Sequence, residues 1–163
     1  MAFSIVTFSN SLKNLLDKHN TTTSATDISS GLKERIKRVT VGYHKNKPIP
    51  VTDFPCIWVE PRRQENEFAT TGRTALRDIT LNYDIACITN IGPGYEDGRE
   101  TADQEMLTLS TNVETMLRNY PALSVTSQVM WSTITDVEYD VENSNDTYNS
   151  IAKINLQIKM RST

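Results

Sequence analysis

Ile79-Thr-Leu81-Asn-Tyr83-Asp-Ile85-Ala-Cys87-Ile88 is followed by Ile91-Gly-Pro-Gly-Tyr95 and then by Thr101-Ala-Asp-Gln104. Apolar side chains at every second position mark the first stretch as a half-buried strand. Gly92-Pro93-Gly94 breaks it, because glycine accepts turn geometry and proline has no amide for a ladder. Thr101 and Gln104 have the spacing of a capping box that starts a helix. Glu100, Asp103 and Glu105 place negative charge where the helix dipole is positive. Met106, Leu109, Val113, Met116, Leu117 and Tyr120 recur at helical spacing and make one apolar face, and Pro121 stops the helix. A single helix with one apolar face does not hold itself together in water, so a sheet must share that face.

Working outward, Ile5, Phe8, Leu12, Leu15 and Leu16 predict an amphipathic helix over about residues 4–18, with Asn20 as a left-handed cap. Thr21-Thr-Thr-Ser-Ala-Thr26 and Ser29-Ser-Gly31 read as a Ser/Thr-rich linker at about 20–31, mobile or locally ordered. Residues 32–43 predict a short helical turn leading into a strand at about 38–43. Lys45 to Pro50 is a loop, and Phe54 to Glu60 is a short strand closed by Pro61. Residues 61–73 then read as a polar loop. After the second helix, residues 123–129 and 131–141 are extended and Glu142-Asn-Ser-Asn-Asp146 is a turn. Ala152, Ile154, Leu156, Ile158 and Met160 alternate with Lys153, Asn155, Gln157 and Lys159 in a last strand. The fold class is therefore α+β: a mainly antiparallel β-sheet flanked by two α-helices, at about 4–18 and 101–120.

The 163 residues suit one domain, 1–163, and the sequence shows no internal repeat. A net charge of −3 argues against a general nucleic-acid binder. Hydrophobic content of 37% and a mean hydropathy of −0.44 fit a folded chain that hides polar surface against neighbours. No apolar run approaches the length of a membrane span, and Met1 to Phe8 has neither the basic region nor the cleavage site of a signal peptide. Asn20-Thr-Thr and Asn145-Asp-Thr match the glycosylation pattern by chance. Cys56 and Cys87 form no CxxC and are expected as small buried thiols in a reduced protein.

The search for chemistry returns little. His19 and His44 have no local acidic or thiol partner and are expected at the surface. No metal-spaced Cys/His set, HExxH or G-x-S-x-G occurs, and no cofactor is implied. Gly92-Pro-Gly94 lies between a strand and a helix but lacks the Gly-Lys-Ser/Thr of a phosphate loop, and the surrounding carboxylates would repel phosphate. Asp136, Glu138 and Asp140 alternate along one strand. Such a row can serve a metal or acid–base site, but more often it is a solvated or partner-facing surface. Trp58 and Trp131 are expected as core or interface anchors. The chain is not expected to be an enzyme.

Charge is segregated. Lys33, Arg35, Lys37, Arg38, Lys45 and Lys47 face a single Glu34 within 33–47, whereas 134–146 carries Asp136, Glu138, Asp140, Glu142 and Asp146 with no base. These are either separate wet faces or edges that meet between copies, a head-to-tail contact that closes into a ring when the rotation allows.

The order of elements, with Ser11-Leu-Lys-Asn-Leu-Leu16, Arg38-Val-Thr-Val-Gly-Tyr43, the proline-led Phe54-Pro-Cys-Ile-Trp-Val59 and Arg77 to Ile85, resembles the tail terminator (tail-completion) proteins of siphophages. The resemblance implies a homohexameric ring that binds the end of a completed tail tube, stops its polymerisation and offers its other face to the head connector. It implies a virion protein at the head-proximal end of the tail, assembled in the host cytoplasm. Its partners would be other copies of itself, the tail tube protein and a head-completion or connector protein, with DNA only as passing cargo and no membrane. On this reading Arg62, Arg63 and Arg73 are candidate tube contacts, Lys33, Arg35, Lys37 and Arg38 a candidate subunit interface, and Asp136, Glu138 and Asp140 a candidate acidic lumen face. The alternatives are another head–tail joining or minor tail protein, or an unrelated monomeric α+β binding module.

Overall fold

A computed structural model describes residues 4–42, 51–68, 76–91, 98–123, 128–144 and 147–162. The elements are α1 (Ile5–Lys18), β1 (Arg38–Val41), a 3-10 turn (Val51–Asp53), β2 (Cys56–Phe68), β3 (Arg77–Ile91), α2 (Gly98–Asn119), β4 (Val129–Ser144) and β5 (Thr147–Ser162). The five strands make one sheet in the order β1-β2-β3-β5-β4. β1 runs parallel to β2, and every other pair is antiparallel. The fold is α+β, as the periodicity requires.

β3 and β5 form the centre, and their alternation sets the register. Ile79 lies opposite Met160, Leu81 opposite Ile158, Tyr83 opposite Leu156, Ile85 opposite Ile154 and Cys87 opposite Ala152. All ten are buried. A one-residue slip would turn every one of them to water, so burial pins this register. Both helices lie on this face: α1 against β1 and β2, α2 against β3 and β5. Phe8, Leu12 and Leu16 of α1 and Met106, Leu109, Val113 and Met116 of α2 complete the core. No described helix covers the opposite face. There a small cluster of Phe54, Cys56, Trp58, Ala86 and Ile88 gives way to polar residues further along the strands.

Several sequence expectations change. α2 begins at Gly98, so Thr101 sits inside the helix. Gln104 Nε2 donates to Glu100 Oε1 at 3.3 Å instead of serving a capping box. β2 does not stop at Pro61. It continues to Phe68, with its register shifting between Pro61 and Arg63. Val41, the last residue of β1, pairs with Val59, so among the described residues the outer edge of β2 beyond that point has no ladder that a proline would break. Residues 32–37 form no helical turn. They are held by acceptors from elsewhere: Ser29 Oγ receives the Ile36 amide at 3.0 Å, and Pro55 O receives that of Lys37 at 2.8 Å. Residues 142–144, expected as turn, continue β4.

The Ser/Thr-rich segment packs against α2. Ile28 is fully buried. Asn112 of α2 donates its amide to Ile28 O at 3.2 Å and to Ser30 O at 2.7 Å, and Glu105 Oε1 accepts the Lys33 amide at 2.9 Å. Asn20 is not left-handed: among the described residues only Leu123, Gly31 and Gly42 have positive φ. Its side chain instead donates to Ile36 O at 3.0 Å and accepts from Ser29 Oγ and Arg35.

Candidate functional site

The thiols and imidazoles are the residues able to do nucleophilic or acid–base chemistry. Register places Ile57 opposite Cys87 and Cys56 opposite Ile88. The two cysteines therefore lie on adjacent strands but face opposite sides of the sheet, and no disulfide can join them. Burial pushes the Cys56 thiol up to about 12 and that of Cys87 higher still. His19, expected at the surface, is buried. Its Nδ1 lies 2.9 Å from both Ser24 Oγ and Thr26 Oγ1, and its ring packs on Tyr120 with centroids 4.8 Å apart. Burial, helped by Lys18, lowers its pKa. This histidine staples a helix end to the Ser/Thr segment. His44, Gly92-Pro-Gly94 and Arg73 lie outside the described residues. Among the described residues no three metal-ligating side chains converge, and no helix is long and apolar enough to cross a membrane.

The helix-free face of the sheet is the main polar surface. Asp84 sits near its centre, 9% exposed. Burial raises its pKa, while Arg62 and Lys153 oppose that rise. Arg62 Nε meets Asp84 Oδ2 at 2.9 Å. At one end of the face Arg161 grips Asp78 with two hydrogen bonds, of 2.8 and 3.1 Å, which hold the Asp78 carboxyl below its ordinary range. Asp136, Glu138 and Asp140 are exposed and share this face, as their alternation predicts. They do not form an isolated acidic wall. Asn155 Nδ2 donates to Asp136 Oδ2 at 2.7 Å, and Lys153 is the register partner of Glu138. The surface is mixed in sign.

The candidate tube contacts divide. Arg62 and Arg63 stand on β2 rather than on a loop, and each is already paired, Arg62 with Asp84 and Arg63 with Glu65 at 2.6 Å. Three of the four cations of the candidate basic interface are likewise paired. Arg35 pairs with Asp27 at 2.7 Å, Lys37 with Glu34 at 3.2 Å and Arg38 with Asp53 at 3.1 Å, and the Lys33 amide is held by Glu105. Folding has brought Arg35, Arg38 and Arg62 to acids that local sequence did not show.

No protein-family model matches the chain, and no curated protein sequence does. Its fold is similar to that of a chain in the virion of the native gene transfer agent particle. The similarity has a TM-score of 0.50 at 10% identity and covers 99% of this chain and 100% of that one. At that identity the likeness is one of fold.

The structure shows which strands form the edges of the sheet: β1 and β4, each unpaired on its outer side among the described residues. β4 is an outer strand of 16 residues with Tyr139 57% exposed and Val141 39% exposed on its helix side. The signal was present in the alternation of Ile134-Thr-Asp-Val-Glu-Tyr-Asp-Val141, but alternation alone does not say whether a strand is central or at the edge.

Proposed function

We propose that this chain is a structural protein of a long-tailed phage virion, a tail terminator that forms a ring on the completed tail tube. In this role one face of the ring docks on the last tube ring, stops polymerisation, and leaves the other face for the head connector. No bond is made or broken; the work is geometric, and several weak contacts made together give avidity. The observation that carries the reading is the correspondence of fold with a gene transfer agent virion chain over the full length of both chains. The order of elements agrees with it. The helix-free face, polar and mixed in sign, suits the wall of a DNA passage, because a strongly basic wall would bind DNA by counterion release.

The test is assembly of the cognate tail tube protein with and without this chain. Tubes should stop growing and carry a ring at one end in negative-stain images. Unchanged tube lengths with the chain in excess would overturn the proposal.

A further inference from the structure

Both outer edges of the sheet, β1 and β4, are unpaired among the described residues. β1 is parallel to β2, and each later neighbour is antiparallel to the one before it, so β4 runs opposite to β1. A second copy set beyond β4 in the same orientation presents its β1 antiparallel to that edge. In this geometry ladder hydrogen bonds run straight across. The outer edge of β4 also carries a local cap of the kind an unpaired strand adopts: Asp140 Oδ1 accepts the Val141 amide at 2.7 Å.

The two edges complement each other in shape and charge. A groove of about 520 Å³ runs between β1 and α1, with Asn10, Lys13 and Asp17 on its helix wall and Lys37, Val39 and Val41 at its strand wall. Val6, one turn before Asn10 in the same row, is 67% exposed. On β4, Tyr139 and Val141 pair in register with Ala152 and Ser150, which places them on the helix side of the sheet. α2 lies over β3 and β5 and leaves them uncovered. On the helix-free side of the sheet Arg38, the register partner of Cys56, stands at the β1 edge, whereas β4 carries Asp136, Glu138 and Asp140 there and no base between 128 and 141. The present partners of Lys37 and Arg38 are exposed ion pairs, which cost little to exchange.

We propose that the outer edge of β4 docks into the β1–α1 groove of a second copy of this chain and continues the sheet from subunit to subunit. Tyr139 and Val141 then lie beneath the Val6 row of the neighbour's α1. Asp136, Glu138 and Asp140, on the other side of the sheet, come beside the neighbour's Arg38. The contact is head-to-tail, so it leaves a free β1 and a free β4 at the ends until a ring closes. It deepens the ring reading and rests on that reading for its closure.

Arg38→Cys combined in turn with Asp136→Cys, Glu138→Cys or Asp140→Cys tests the contact under mild oxidation. The series is built on Cys56→Ser, because Arg38 is the register partner of Cys56 and a thiol at position 38 would have Cys56 within reach; the buried Cys87 faces the other side of the sheet. One of the three double variants should form a reducible ladder of multiples that Arg38→Cys alone does not form. Adding Tyr139→Glu to that variant should lower the linked fraction about tenfold. Assemblies seen by light scattering with no linkage in any of the three would overturn the proposal. So would a chain that stays monomeric and unlinked at the highest concentration it tolerates. Linked chains that never close into rings would support the edge contact and remove the ring.

Discussion

Arg62 and Asp84, on neighbouring strands and 22 positions apart in sequence, meet at 2.9 Å on the helix-free face of the sheet. The arginine is half exposed and the carboxylate nearly buried, so the two ends of the pair are unequal. Removing the arginine leaves a desolvated charge behind. Arg62→Ala should therefore lower stability by about 1–2 kcal/mol in urea unfolding. Adding Asp84→Asn should restore most of that loss. If the double variant is no more stable than Arg62→Ala, the pair is not the cause.

Ser9 and Tyr83 tie α1 to the central strand. Their hydroxyls are 2.8 Å apart and buried, and Ser9 Oγ also donates to Ile5 O at 2.7 Å. The serine hydrogen is thereby used, so Tyr83 is the donor. Ser9→Ala strands a buried phenol and should cost roughly 1–3 kcal/mol, whereas Tyr83→Phe loses one bond and should cost about 1 kcal/mol. A double-mutant cycle measured by denaturant unfolding checks the inequality.

His19 gives the fold an acid sensitivity. Its folded pKa lies below the ordinary 6.5, so between those two values the unfolded chain binds the extra proton. The contribution is fully present above 6.5 and is lost as pH falls towards the folded value. Melting temperature should drop on moving from neutral to mildly acidic buffer. The same scan on His19→Gln should be flatter, and a slope identical to wild type would assign the acid effect elsewhere.

Asn112 should govern the order of the Ser/Thr-rich segment, because one side-chain amide serves the carbonyls of both Ile28 and Ser30. Asn112→Ala is expected to cost about 1–2 kcal/mol. It should also raise hydrogen exchange over residues 28–33 more than in β3 or β5. Uniform exchange changes would contradict this local role.

The two thiols should be silent in the native state. Both are buried with raised pKa values and face opposite sides of the sheet. Iodoacetamide at mildly alkaline pH should label neither until denaturant is added, and oxidants should produce no intramolecular bridge. Rapid native labelling of Cys56 would show that its end of the sheet opens.

What the sequence alone determined was everything with a short period. The alternation in 79–88 and 152–160 and the helical spacing in 5–16 and 106–117 name the buried face of each element. Period and face are properties of neighbouring residues, so α+β was legible. The tertiary structure decided what depends on residues far apart in the chain. It set the strand order that makes β4 an edge, and it placed Cys56 and Cys87 on opposite faces. It carried β2 through Pro61, because β1 ends opposite Val59 and the proline has no donor to lose. It buried His19 against Tyr120, and it paired Arg35, Arg38 and Arg62 with Asp27, Asp53 and Asp84. Charge read along the chain showed a basic segment and an acidic strand. Charge read across the sheet showed a surface already compensated, because Coulomb attraction acts on distance in space and local sequence does not contain that distance.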